Sequence, residues 1–173
     1  MAYVQKNVGR PKLGQPVNQQ LIQVSRPAAT VTQNTATEML FRVFGGRVLV
    51  HMLIGEVTTA IQNQAMTLLL THKKLDNASV AVGSAVDIAA ATTATNKELG
   101  SMLVPLGSGA AAIFSNAGAA LGTLGRNTTI LPQGELYATA SANNTGAMKY
   151  DIWYQPLDAG AYIVPMPALT AVI

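Results

Sequence analysis

His51 and His72 are the only histidines in this 173-residue chain, and it has no cysteine. A nucleophilic hydrolase needs a serine, a base and a carboxylate within hydrogen-bond reach of one another. His51 falls inside an alternating apolar run, in step with Leu49 and Leu53, and is expected to be a packed or edge histidine. His72 stands beside Lys73 and Lys74, the setting of a solvated loop end. Neither HxH nor HExxH occurs, so the two histidines nominate no metal site. The eight carboxylates are scattered, and for the nearest pair, Asp151 and Asp158, a strand end and a turn are sufficient reason. The run GSGAAAIFSNAG lacks the lysine and the strand-then-helix frame of a phosphate-binding loop. Without cysteine there are no disulfides, thiolate chemistry or sulfur-ligated metals, which fits a reducing cytosol. The expectation is a protein that is not an enzyme, with no catalytic residue, no metal and no cofactor.

Chemistry of contact is better represented. Three of the five tyrosines and the single tryptophan lie between Tyr137 and Tyr154. Tyr137, Tyr150, Trp153 and Tyr154 together would make a sugar platform, but packing between sheets or subunits is the simpler use of such rings. Charge is the second feature. Lys6, Arg10, Lys12 and Arg26 precede the first acid, Glu38, and from Glu38 onward seven basic residues meet eight acidic ones. The net +3 therefore belongs to the first segment, and the rest is near neutral. Only 11% of residues are charged, against about 25% in an ordinary soluble domain. A surface built from Thr, Asn, Gln and Ser suits strands and close protein contacts.

These features need elements to position them. Residues 1–36 hold Pro11, Pro16 and Pro27 and no long apolar period, so they read as an extended arm, with a disordered terminus as the plainer alternative. In the arm, Leu21, Ile22 and Val24 are too apolar for a linker; they and the cations Lys6, Arg10, Lys12 and Arg26 are the candidate partner-binding residues, facing an acidic protein surface. Nucleic acid is a weaker partner, because Tyr3 is the arm's only ring. Neither a signal peptide nor a membrane span is expected, since polar residues interrupt every apolar stretch.

Residues 37–173 read as one body of about eight short strands. Met39, Phe41 and Val43 alternate up to a Gly45-Gly46 turn, and Val48, Val50, Met52 and Ile54 resume on what is expected to be the neighbouring strand. Gly55 marks an expected bulge, although helix competes over 47–63. Strands follow at 66–71, 99–106 and 110–114, and the conformation of 78–127 is otherwise left open. Near the end, Glu135-Leu136-Tyr137 and the alternating 147–154 run flank Asn143-Asn144-Thr145-Gly146, which predicts an antiparallel hairpin. Short strands with turns every 8 to 12 residues make a β-sandwich, jelly roll or small barrel.

The succession TEMLFRVFGGRVLVHMLIGEVTTAIQNQAMTLLL, with the closing TGAMKYDIWYQPLDAGAYIV, resembles the capsid decoration, or cement, proteins of tailed bacteriophages. FGGRVLV, IGEVTTAI and DIWYQPLDAGA are its most specific parts, and it spans about 37–165. The resemblance implies an all-β sandwich or jelly-roll module that sits on the outside of a virion and cements neighbouring major capsid protein subunits, often as a homotrimer. A tail or receptor-binding module for host surface glycan is the alternative.

Overall fold

The structure is a computed structural model that describes residues 20–30, 37–105, 113–114 and 128–167. Among the described residues all regular structure is extended, and no helix occurs. The strands are β1 (Ile22–Thr30), β2 (Thr37–Phe44), β3 (Val48–Thr59), β4 (Thr67–Lys74), β5 (Val86–Thr93), β6 (Met102–Val104), β7 (Ile113–Phe114), β8 (Thr129–Leu131), β9 (Gly134–Ala140), β10 (Ala147–Pro156) and β11 (Tyr162–Pro165). One sheet runs β1-β10-β3-β6-β7, with β8 also paired to β3; the other runs β11-β2-β9-β4-β5.

From β1 to β4 each successive strand crosses to the other sheet, and β9 to β10 and β10 to β11 cross likewise, while β4 and β5 pair within the second. β1, β3, β6 and β10 belong to the first, and β2, β4, β5 and β9 to the second. With β7, β8 and β11 set aside, these eight strands have the order of a jelly roll, two interlocked Greek keys. The all-β sandwich expected from the strand pattern is the fold observed.

The core lies between the two inner faces. Val50, Leu53, Val57, Met148, Tyr150, Ile152 and Tyr154 fill it from the first sheet, and Leu40, Phe41, Val43, Leu68, Leu70, Leu136 and Ile163 from the second. Each such side chain contributes roughly 1.5–3 kcal/mol by leaving water. The alternation read for 148–154 holds without interruption, since Met148, Tyr150, Ile152 and Tyr154 are all buried.

Three expectations are corrected by tertiary pairing. Gly45-Gly46 and Asn143–Gly146 are not hairpin turns within a sheet. β2 pairs with β9 and β11, and β3 with β10, so both turns carry the chain from one sheet to the other. Gly45 still needs its glycine: φ is +71°, and a Cβ there would stand 2.3 Å from the Gly160 carbonyl oxygen.

Gly55 is not a bulge. It pairs in register with Tyr150, and its missing side chain makes room for that ring, 2.9 Å from where a Cβ would be. Besides a register shift at Thr58, between the pairs Ala147 with Thr59 and Met148 with Val57, β3 has a bulge at His51, between the pairs Tyr154 with Val50 and Trp153 with Met52. It reverses the phase of the strand, so Val48 and Val50 are followed inward by Leu53 rather than by Met52.

The boundary at 36/37 also moves. β1 pairs along its length with β10, from Ile22 opposite Tyr154 to Thr30 opposite Ala147. Residues 22–30 are therefore an edge strand of the sandwich. Pro27 lies at the register shift between Arg26 and Ala29, where a residue without an N–H costs the ladder least.

Candidate interaction surfaces

Of the residues expected to meet a partner, Lys6, Arg10 and Lys12 lie outside the described residues. Leu21 is 52% exposed, just ahead of β1. Ile22 and Val24 pack partly against the core, so their apolar surface is used within the chain.

Arg26 is a correction. It is 1% exposed, and its Nη2 donates to Glu38 Oε1 in a buried ion pair, while Nε donates to the Met166 carbonyl oxygen at 3.1 Å. The side chain ties the first sheet to β2 and to the segment after β11, and is not offered to another molecule. Its Nη1 is buried without a hydrogen-bond partner. A register shift at Leu40, between Met39 and Phe41, turns Glu38 inward. Tyr150 lies opposite Arg26 on β10; burial above all, then the Glu38 charge, raises its phenol above the usual value, with Arg26 opposing. The sequence held no local sign of this cluster, because it joins three strands that only the fold brings together.

The histidines lie in different sheets. His51 is exposed at its bulge, with Nε2 3.4 Å from Gln155 Oε1. His72, expected in a solvated loop, is instead buried on β4, with Nε2 3.2 Å from the Pro132 carbonyl oxygen. Burial lowers its pKa from the ordinary 6.5, partly offset by that carbonyl. No group of three or more His, Cys, Asp or Glu arranged to hold a metal ion occurs among the described residues.

The four rings of the closing ribbon do not form one platform. Tyr150 and Tyr154 are inside, and the Tyr154 hydroxyl accepts the Ile163 N–H at 3.2 Å, linking the two sheets. Trp153 alternates with them and faces outward from the first sheet. Tyr137 faces outward from the second, where its hydroxyl donates to Glu135 Oε2, and burial with that carboxylate pushes its pKa up to about 12.

The outer face of the second sheet carries a cluster of contact-type side chains. Tyr162 on β11 and Phe44 on β2 are paired in register with ring centroids 5.3 Å apart and planes 19° from parallel. The Arg42 guanidinium carbon lies 4.9 Å from the Phe44 centroid, and Arg42 Nε is 3.7 Å from Glu135 Oε1. Tyr162 is 44% exposed. Arginine beside aromatic rings is the composition of binding hot spots.

The two ends of the sandwich differ. At one, a cleft of about 820 Å³ is lined by amides, among them Gln62, Asn63, Gln64, Asn96 and Asn143. At the other, a cleft of about 620 Å³ holds Lys74, Asp76 and the Arg47–Asp158 pair. Two hydrogen bonds from the Arg47 side chain and one from its backbone N–H hold the Asp158 carboxyl down to about 2. Beside this cleft the β4–β5 loop exposes Val80 (59%) and Val82 (45%). Asp76 organises the loop, its Oδ1 accepting from the N–H groups of Ala78 and Val80.

The sheet edges are poorly suited to adding a strand. β1 has Pro27 and a bulge, β11 is four residues long and ends at Pro165, and β5 has two register shifts against β4. Contacts through faces and loops are left as the natural mode of association.

No protein-family model matches the chain, and no curated protein matches it. Among solved structures it is similar to one titled "Structure of infectious bursal disease virus Gx strain", at 10% identity and a TM-score of 0.27, over 87% of this chain and 39% of that one. This chain thus spans well under half the length of that protein, and so loose a likeness carries no conclusion about what this one does.

Proposed function

We propose that the protein is a structural component of a virion: a decoration protein that sits on the outside of a tailed-phage capsid and cements neighbouring major capsid protein subunits. The observation that carries this is a jelly-roll strand order, an architecture used by viral capsid modules, in a chain with only 11% charged residues. The stack of Tyr162, Phe44 and Arg42, exposed at Tyr162, and the loop that exposes Val80 and Val82 give it faces suited to burial against other protein. The arm is shorter than the sequence pattern implied. It consists of the residues before β1, and Lys6, Arg10 and Lys12 are its cations. Their role is to pair with carboxylates across a seam between capsid subunits, while the body self-associates, as a homotrimer.

Repetition makes the contact effective. A few kcal/mol of apolar burial per copy, at about 25 cal/mol per Å² less the ordering cost, is multiplied over the lattice against internal pressure. The test is occupancy on purified shells, scored by electron cryomicroscopy, for the natural chain and for a triple variant, Lys6→Glu, Arg10→Glu, Lys12→Glu. Binding by the natural chain and loss by the variant is expected. No binding by either removes the capsid role, and equal binding removes the arm from it.

A further inference from the structure

Carboxamides gather at one end of the sandwich. Eleven Asn and Gln fall among the described residues, and six of them line the cleft of about 820 Å³: Gln62, Asn63, Gln64, Asn96, Asn143 and Asn144. Ala60, Ile61 and Thr145 complete its described lining, which therefore holds no ionisable group. The β3–β4, β5–β6 and β9–β10 loops meet there.

These loops are fastened to one another. Asn144 is buried, and its Nδ2 donates to the backbone carbonyl oxygens of Gln62 at 3.2 Å and Gln64 at 2.8 Å, while its Oδ1 accepts the Thr145 N–H at 2.8 Å. The Asn96 N–H donates to the Gln62 carbonyl oxygen at 3.2 Å, and the Ile61 N–H to that of Lys97 at 2.8 Å. Asn96 Nδ2 also donates to Asn63 Oδ1 at 3.1 Å. The other polar side chains are left over. Gln62, Gln64, Asn143 and Thr145 are exposed, and their side chains make no hydrogen bond among the described residues. A cleft whose loops are already ordered loses little entropy when a ligand arrives.

The chemistry of the lining selects the ligand. An uncharged carboxamide sets two N–H donors beside an acceptor oxygen, and a sugar hydroxyl both donates and accepts, so neighbouring hydroxyls match one carboxamide. A phosphate or carboxylate would find no cation among these residues to pair with. Protein hot spots are built on Trp, Tyr and Arg, and none of these is in the described lining. The volume falls within the roughly 300–1,000 Å³ of small-ligand sites, which are usually apolar; a polar, uncharged lining suits a polar, uncharged occupant.

We propose that this cleft binds a neutral glycan. Gln62, Gln64, Asn143 and Thr145 hydrogen-bond to its hydroxyls, and Asn144 and Asn96 hold the loops that carry them. The sugar is gripped by its hydroxyl edges, since no described lining residue offers a ring for stacking. The site does not depend on the capsid role and is tested on the isolated full chain.

The chain is applied to an array of neutral oligosaccharides of glucose, galactose, mannose and N-acetylhexosamines, with hyaluronan and heparin fragments as acidic controls. Binding to neutral members is expected, weakened by about tenfold or more in the triple variant Gln62→Ala, Gln64→Ala, Asn143→Ala, with its melting temperature unchanged. No binding to any neutral member, binding to the acidic controls alone, or undiminished binding by the variant overturns the proposal. So does a variant that changes its oligomeric state in size-exclusion chromatography and keeps its glycan binding, which would make the cleft a contact between copies. A readout on the natural chain guards against a misfolded variant: the side-chain NH2 signals of Gln62, Gln64 and Asn143 should shift in NMR titration with the bound oligosaccharide. Signals that stay in place overturn it as well.

Discussion

Arg26 and Glu38 illustrate how little a charged residue reveals of its role until its neighbours are known. Both are buried, and each would be left as an uncompensated charge without the other. Arg26→Met or Glu38→Gln alone should therefore cost roughly 3–5 kcal/mol in urea unfolding, whereas Arg26→Met with Glu38→Leu should recover most of that loss. His72 makes a second prediction at this scale. Its folded pKa lies below the ordinary 6.5 because burial disfavours the imidazolium, so the unfolded chain takes up the proton first. Stability should be flat above about pH 7 and fall as pH drops below about 6.5, toward the folded value. The melting temperature of His72→Gln, which keeps a donor for Pro132, should not show that fall over the same window.

At the scale of elements, Gly55 and β1 carry the predictions. Gly55 faces the core under the Tyr150 ring, with Met148 Cε 3.0 Å from a would-be Cβ. Gly55→Ala should destabilise by about 1–3 kcal/mol, read as a lower urea midpoint with unchanged slope, because the ring it displaces is fully packed. Removing residues 1–30 takes away β1, bares the edge of β10 and orphans Glu38, so the product should aggregate or lose its cooperative melt. Removing residues 1–19 leaves every described hydrogen bond in place, and a cooperative melt should remain. Comparing the two truncations by calorimetry separates the strand from the arm.

At the scale of the whole molecule, strands adjacent in space are remote in sequence: Ile22 meets Tyr154, and Thr37 meets Thr139. Such topology makes the chain close long loops before contacts reward it, and refolding in stopped-flow should take milliseconds to seconds rather than microseconds. The same remoteness marks what was legible in the sequence. Extended structure and the inward set Met148–Tyr150–Ile152–Tyr154 follow from properties a few residues wide. Side-chain period and missing N–H groups act locally, so letters alone determined an all-β chain of short strands with a near-neutral body and a basic beginning. Tertiary structure decided which strands pair. Gly45-Gly46 and Asn143–Gly146 have hairpin chemistry yet span the sandwich, since turn residues record tolerance of positive φ and not the sheet the chain enters next. Bulges at Leu40 and His51 each slipped the alternation of their strand by one residue, and the one at Leu40 turned Glu38 inward to meet an arginine from a segment that read as an arm. Both depend on partners across the ladder, and those partners are brought there only by the closed fold.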